Sequence, residues 1–133
     1  MHKIPVFLAA MSWLVPGLGH FLQGKKYRAV LFFVTVGLLF WIGIITKAYI
    51  VVPGSPAYNM ESFALFKFLG ALGSGLHFFL AMILQGDITD FAIINSLKAQ
   101  LTNEYATTCL YTAGIINILA IVDSIDLLRG KTT

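Results

Sequence analysis

Charge is what this sequence has least of. Lys, Arg, Asp and Glu make up 11% of its 133 residues, against about 25% in an ordinary soluble domain. So few polar groups cannot clothe a globule of this size, which excludes a free-standing soluble domain. Cysteine occurs once, at Cys109, which excludes an intrachain disulfide. The net charge of +3 is too small and too scattered for a nucleic-acid partner. No Ser/His/Asp or Cys/His arrangement lies at plausible reach, so no enzyme is expected. No internal repeat or low-complexity segment stands out.

What the chain does have is apolar surface: 58% of residues are hydrophobic and the mean hydropathy is +0.84. The natural solvent for such a chain is the bilayer, where a helix needs about 20 apolar residues to cross. Four segments qualify or nearly do: 5–22, 29–52, 63–84 and 106–128. The first is short and is broken by Pro16-Gly17. No small-residue cleavage site follows it before Phe21-Leu22-Gln23, so it reads as an uncleaved first span and not as a signal peptide. The second ends before Pro53-Gly54-Ser55-Pro56, which no helix crosses easily. Between the last two, Ile93, Leu97 and Leu101 fall at i, i+4, i+8 and predict a short interfacial helix over 88–103. The expected fold is therefore all-α: a single membrane domain over 1–133 with four transmembrane segments, the first Pro-kinked, plus one interfacial helix.

Four full spans put Lys3, Lys47, Lys67, Arg129 and Lys131 on one face and Lys25, Lys26, Arg28 and Lys98 on the other. That count is nearly tied, and it tips if Pro16-Gly17 turns the first segment back on itself, which moves Lys3 to the other side. The densest cluster, Lys25-Lys26-Tyr27-Arg28, lies in a short loop, where positive residues mark the inside best. The expectation is a cytoplasmic loop in a bacterial inner membrane, its three cations at the level of phospholipid headgroups.

The same loop comes close to a nucleotide signature. Gly19-x-x-x-x-Gly24-Lys25-Lys26 differs by one letter from the phosphate-binding pattern that ends in Lys and then Ser or Thr. That pattern needs a strand before it and a hydroxyl for magnesium. Here an apolar, Pro-broken segment precedes it, and Lys26 stands where the hydroxyl belongs. Gly24 instead suits a helix C-terminus in the left-handed conformation.

The run from Leu14 to Lys26, LVPGLGHFLQGKK, resembles the N-terminal turn of a family of small bacterial multi-pass membrane proteins of unknown function. More distantly it is similar to proteins built on a two-transmembrane-helix domain with a Gly-x-Gly turn. The C-terminal run from Tyr111 to Lys131 resembles that family's last helix, in which an AG-x-x-N stretch precedes D-x-x-D and a glycine. Here Ser124-Ile125 separates the two aspartates. The resemblance implies a membrane fold and no reaction.

Polar groups inside apolar segments are costly and need reasons. Gly70, Gly73, Ser74 and His77 recur at spacings of three and four, and Ala71 and Gly75 form a second small pair. Such faces let helices approach closely, so Gly70, Gly73 and Ser74 are expected to pack, with Asn117 making an interhelical hydrogen bond. His77 has two readings: a histidine bonded across that interface, or a ligand to heme or a chlorophyll-type pigment. No second His or Cys sits at helical spacing from it, so no metal site is expected. His20, in the turn, reads as interfacial. Asp123 and Asp126 read as interfacial too, with Asp126 pairing Arg129, or alternatively as a proton or cation path. Cys109 reads as a small packing residue.

The leading expectation is a non-catalytic accessory subunit of a larger membrane complex, with an energy-transducing (respiratory or photosynthetic) complex as the class to check first. Its partners would be other membrane subunits and phospholipids, with bound lipid and no required cofactor. The alternatives are a small transporter or channel using Asn117, Asp123 and Asp126, and a heme- or pigment-binding subunit acting through His77.

Overall fold

The computed structural model describes residues 3–55, 58–59, 62–85, 96 and 101–130. These form six helices: α1 (Lys3–Leu14), α2 (Leu18–Leu22), α3 (Lys26–Ile45), α4 (Ala64–Leu72), α5 (Leu76–Gln85) and α6 (Leu101–Gly130). No strand occurs among the described residues.

The longest element organises the rest. α6 has 30 residues, about 45 Å at 1.5 Å per residue. Ala106, Leu110, Ala113, Gly114, Asn117, Ala120 and Ser124 recur along it at helical spacing, and all are buried. α1, α3 and α4 each pack on α6. α3 runs antiparallel to it: Gly43 abuts Ala106 and Leu110 near one end, and Arg28 approaches Asp123 near the other. α4 runs with α6, because Gly70 faces Tyr111 and Gly73 faces Gly114. Val36 and Phe40 of α3, Ala71 of α4, Phe78 and Ala81 of α5 and Leu110 and Ala113 of α6 fill the core between them.

Among the described residues two helices, α3 and residues Glu104–Gly130 of α6, are long and apolar enough to cross a membrane. α4 and α5 pass the same test only as a bent pair, which makes up to three candidate spans where the sequence predicts four. The first segment falls short because Pro5–Leu14 is all of α1 that is apolar helix.

The segment boundaries move for identifiable reasons. The second segment, expected over 29–52, is helical over Lys26–Ile45. Lys47 turns left-handed (φ 68°), and the N–H groups of Lys47 and Ala48 bond back to the carbonyls of Ile44 and Gly43 at 3.1 and 2.8 Å. That double closure ends a helix. Tyr49 and Val51 then pack on Ala64 and Tyr58 as a small second cluster. The last segment, expected over 106–128, runs from Leu101 to Gly130. The interfacial helix expected over 88–103 lies mostly outside the described residues, and 101–103 form the first turn of α6.

The third segment, expected as one span over 63–84, breaks at Gly73-Ser74-Gly75, and its halves are bent by 107°. Gly75 has φ +63°, and a Cβ there would strike the Trp13 carbonyl. No proline is needed, because only glycine fits both the conformation and the contact. The first segment breaks at Pro16-Gly17 as its sequence predicts. Pro16 has no N–H to give the Ser12 carbonyl, and Gly17 (φ +83°) is pressed against the Ala29 backbone.

Folding also overturns the division of charge. The ends of α2 and α6 meet in a groove lined by Lys25, Asp123, Asp126, Leu127 and Gly130. Lys25, Lys26, Arg28 and Arg129 therefore share one end of the molecule, and Lys47 lies at the other, where α3 stops. The four-span expectation had placed Lys25–Arg28 and Arg129 on opposite faces.

Candidate functional site

Breaking a helix frees carbonyls that lose their partners four residues on. Both breaks in this chain are closed by side chains, and two of those side chains do most of it. The indole Nε1 of Trp13 donates to the Leu72 carbonyl at 2.9 Å. The Nδ2 of Asn117 donates to the Gly73 carbonyl at 2.8 Å and to the Trp13 carbonyl at 3.1 Å. One amide group on the continuous helix thus holds the last turn of α1 and the end of α4. The Ser74 hydroxyl turns back on the Ala71 carbonyl at 2.6 Å. Asn117 is the central residue of Glu104–Gly130, is fully buried, and its Oδ1 has no hydrogen-bond partner among the described residues.

Glycine makes this closeness geometrically possible. A Cβ on Gly114 would overlap the Gly70 carbonyl, and one on Gly73 would lie 2.8 Å from the Gly114 carbonyl. Gly70 and Gly73, named from their spacing, stand at this crossing, together with Ser74 and Asn117. Gly114, their counterpart on α6, is the member that spacing alone did not single out. It lies in the AG-x-x-N stretch, three residues before Asn117.

A second polar cluster lies further along α6. The His20 Nε2 and an Asp123 carboxylate oxygen are 2.8 Å apart, and the Arg28 guanidinium lies 3.6 Å from the same oxygen. His20 is 1% exposed and Asp123 45%, so the imidazole is walled in while its acid reaches the surface. The Phe32 ring stacks on it, centroids 5.0 Å apart. The Gln23 Nε2 donates to the Ser124 carbonyl at 2.7 Å. The Ser12 and Ser124 hydroxyls both press on Gly19. The Pro16-Gly17 turn folds α2 back against α6 and buries the His20 ring at that helix interface. Asp123 finds basic partners in His20 and Arg28, which the sequence separates from it by about a hundred positions.

Chemically this cluster is an acid–imidazole pair with a balancing guanidinium. Neither the Ser12 hydroxyl nor the His20 Nδ1 has a hydrogen-bond partner among the described residues. The nearby residues of the near-nucleotide signature adopt no phosphate cradle. Gly19 lies inside α2, and Gly24 ends it: the N–H groups of Gly24 and Lys25 bond back to Phe21 and His20. Among the described residues no cluster of three or more His, Cys, Asp or Glu could hold a metal ion.

The remaining sequence candidates are placed as follows. Of the three headgroup cations, Arg28 is drawn toward Asp123, while Lys26 is exposed and Lys25 half-buried. Asp126 is exposed on the groove described above. Cys109 is half-buried in α6. The His77 ring stands among Phe33, Phe40 and Trp41, with centroids 5.7–6.4 Å away, and its Nδ1 has no hydrogen-bond partner among the described residues.

No curated protein and no solved structure matches the chain. One family does, over residues 7–132, a stretch that contains both helix breaks, the Asn117 node and the His20–Asp123 pair. The chain belongs to that family, the family of unknown function DUF6677.

Proposed function

We propose that this chain is an integral membrane protein with no reaction of its own, an accessory subunit that meets a larger membrane assembly through α5. The geometry of α5 carries this reading. α4 runs alongside α6 and stops at Gly73, level with the centre of the longer candidate span. From there α5 departs at 107° to α4. Its ten residues measure about 15 Å, half of a hydrocarbon core about 30 Å thick. Turned across the axis of α4, these ten residues cross the core obliquely and keep an apolar side turned outward. A neighbouring membrane helix would cover Phe79, Leu80, Ile83 and Leu84, which are exposed.

The same reading orients the chain. Lys25, Lys26, Arg28 and Arg129 at one end outweigh Lys47 and Lys67 toward the other, so the cation-rich end faces the cytoplasm of a bacterial inner membrane.

The test is a photo-crosslinking residue at Ile83, activated in native cells before extraction in mild detergent. A single heteromeric product at fixed stoichiometry supports the proposal. Crosslinks only to lipid, with the chain recovered alone, overturn it.

A second reading draws on three buried polar atoms that have no partner among the described residues: the Ser12 hydroxyl, His20 Nδ1 and Asn117 Oδ1. They lie along the α1–α2–α6 interface that opens at Asp123 and Asp126, and they favour a small channel or transporter passing protons or cations. Flux into liposomes from the purified chain alone, lost in Asn117→Leu, supports this reading against the first. Heme or pigment at His77 is the reading least favoured, because three aromatic rings of α3 already crowd the imidazole.

A further inference from the structure

The first turns of α3 join a cation to an apolar groove. Lys26, Ala29, Val30 and Phe33 fall at i, i+3, i+4 and i+7 and so share one face. Ala29, Val30 and Phe33 form one wall of a groove of ≈ 170 Å³; Val15, Pro16, Leu18 and Phe21, from the α1–α2 turn, complete it. The groove exists because Gly17 presses its backbone onto Ala29, which holds the turn against α3 at one point and leaves a cleft beside it. Its rim is open, since Val30, Phe33 and Phe21 are exposed. At the polar end of the same face stands Lys26, exposed and paired with no carboxylate among the described residues. Arg28, two positions on, is turned instead toward Asp123.

We infer that this groove is a binding site for an anionic phospholipid, one acyl chain lying along Val30 and Phe33 and the headgroup phosphate meeting Lys26. The occupant follows from the chemistry of the two ends. An almost wholly apolar cleft takes a hydrocarbon chain, and an unpaired ammonium one turn above it takes a phosphate. A protein helix is too wide for so small a cleft, and a free phosphate has no use for one. The site differs from a general coat of lipid because Lys26 and the cleft sit on a single helical face, so headgroup and chain are read together.

The experiment is native mass spectrometry of the chain in mild detergent, titrated with phosphatidylglycerol or with phosphatidylcholine of the same acyl chains. The expected result is one tightly held phosphatidylglycerol, preferred over phosphatidylcholine by roughly fivefold, the weight of one lysine near an anionic headgroup. Lys26→Gln should bring the two lipids level. Val30→Trp, at an exposed position, should fill the cleft and remove the tightly held lipid of both kinds while leaving the melting temperature unchanged. Inorganic phosphate should not displace the lipid. Equal binding of the two lipids by the unaltered chain would overturn the inference, as would undiminished binding by Val30→Trp, or displacement by phosphate.

Discussion

His20 and Asp123 are 103 positions apart in the chain and 2.8 Å apart in space. The bond joins the N-terminal turn to the last helix, and the burial of His20 makes the imidazole depend on it. Replacing the acid by Leu leaves both ring nitrogens of a buried histidine without a partner, a loss of about 1–3 kcal/mol. Asp123→Leu is therefore expected to lower the unfolding midpoint in detergent. His20→Phe should cost less, and the double variant should be clearly less destabilised than the two single losses added together. Strict additivity would mean that the pair is not coupled.

Asn117 gives a sharper test, because its role rests on donated protons. Asn117→Asp keeps the shape and removes the amide donors, so the carbonyls of Trp13 and Gly73 both lose their partner. Thermal unfolding should show Asn117→Asp to be at least as damaging as Asn117→Ala, each by about 1–3 kcal/mol. An aspartate that behaves like the native residue would show that the amide is not what holds the breaks.

Glycine substitutions should rank by what the new methyl group meets. Gly114→Ala drives a Cβ into the Gly70 backbone carbonyl, whereas Gly130→Ala meets nothing within 4 Å. The first should abolish recovery of folded protein from membranes and the second should leave it intact. Gly73→Leu should fail as Gly114→Ala does, since close helix approach is what both positions permit.

Sidedness can be read by labelling single cysteines with a membrane-impermeant reagent in a Cys109→Ser background. Positions 26 and 129 should share one pattern, protected from outside, while position 47 is labelled. Opposite patterns at 26 and 129 would restore four full spans and overturn the arrangement in which α2 and α6 end together.

Composition and periodicity made much of this legible. The all-helical build, the break at Pro16-Gly17 and the left-handed Gly24 all follow from residues with strong local preferences. The break at Gly73-Ser74-Gly75 was harder to see. Its glycines fit a close-packed helix face equally well, and the choice between packing and bending depends on Trp13, some sixty positions away. His20 and Asp123 were each visible as costly polar residues, but their pairing is a matter of tertiary contact that no spacing encodes. The described residues hold two or three candidate spans where four were expected, and the difference has the same origin: hydropathy measures how much apolar chain there is and says nothing of where it turns.

The Asn117 bridge has a consequence for biosynthesis. The carbonyl of Trp13 emerges from the ribosome 104 positions before the amide that satisfies it. At about 5–20 residues per second, the N-terminal turn must wait on the order of 5–20 s for its partner. Throughout that interval the Trp13 carbonyl lacks the amide that holds it in the folded protein, and a helix made some hundred residues later seals the first. A chain cut short before Asn117 should therefore persist as an unsealed intermediate and be cleared by membrane proteolysis.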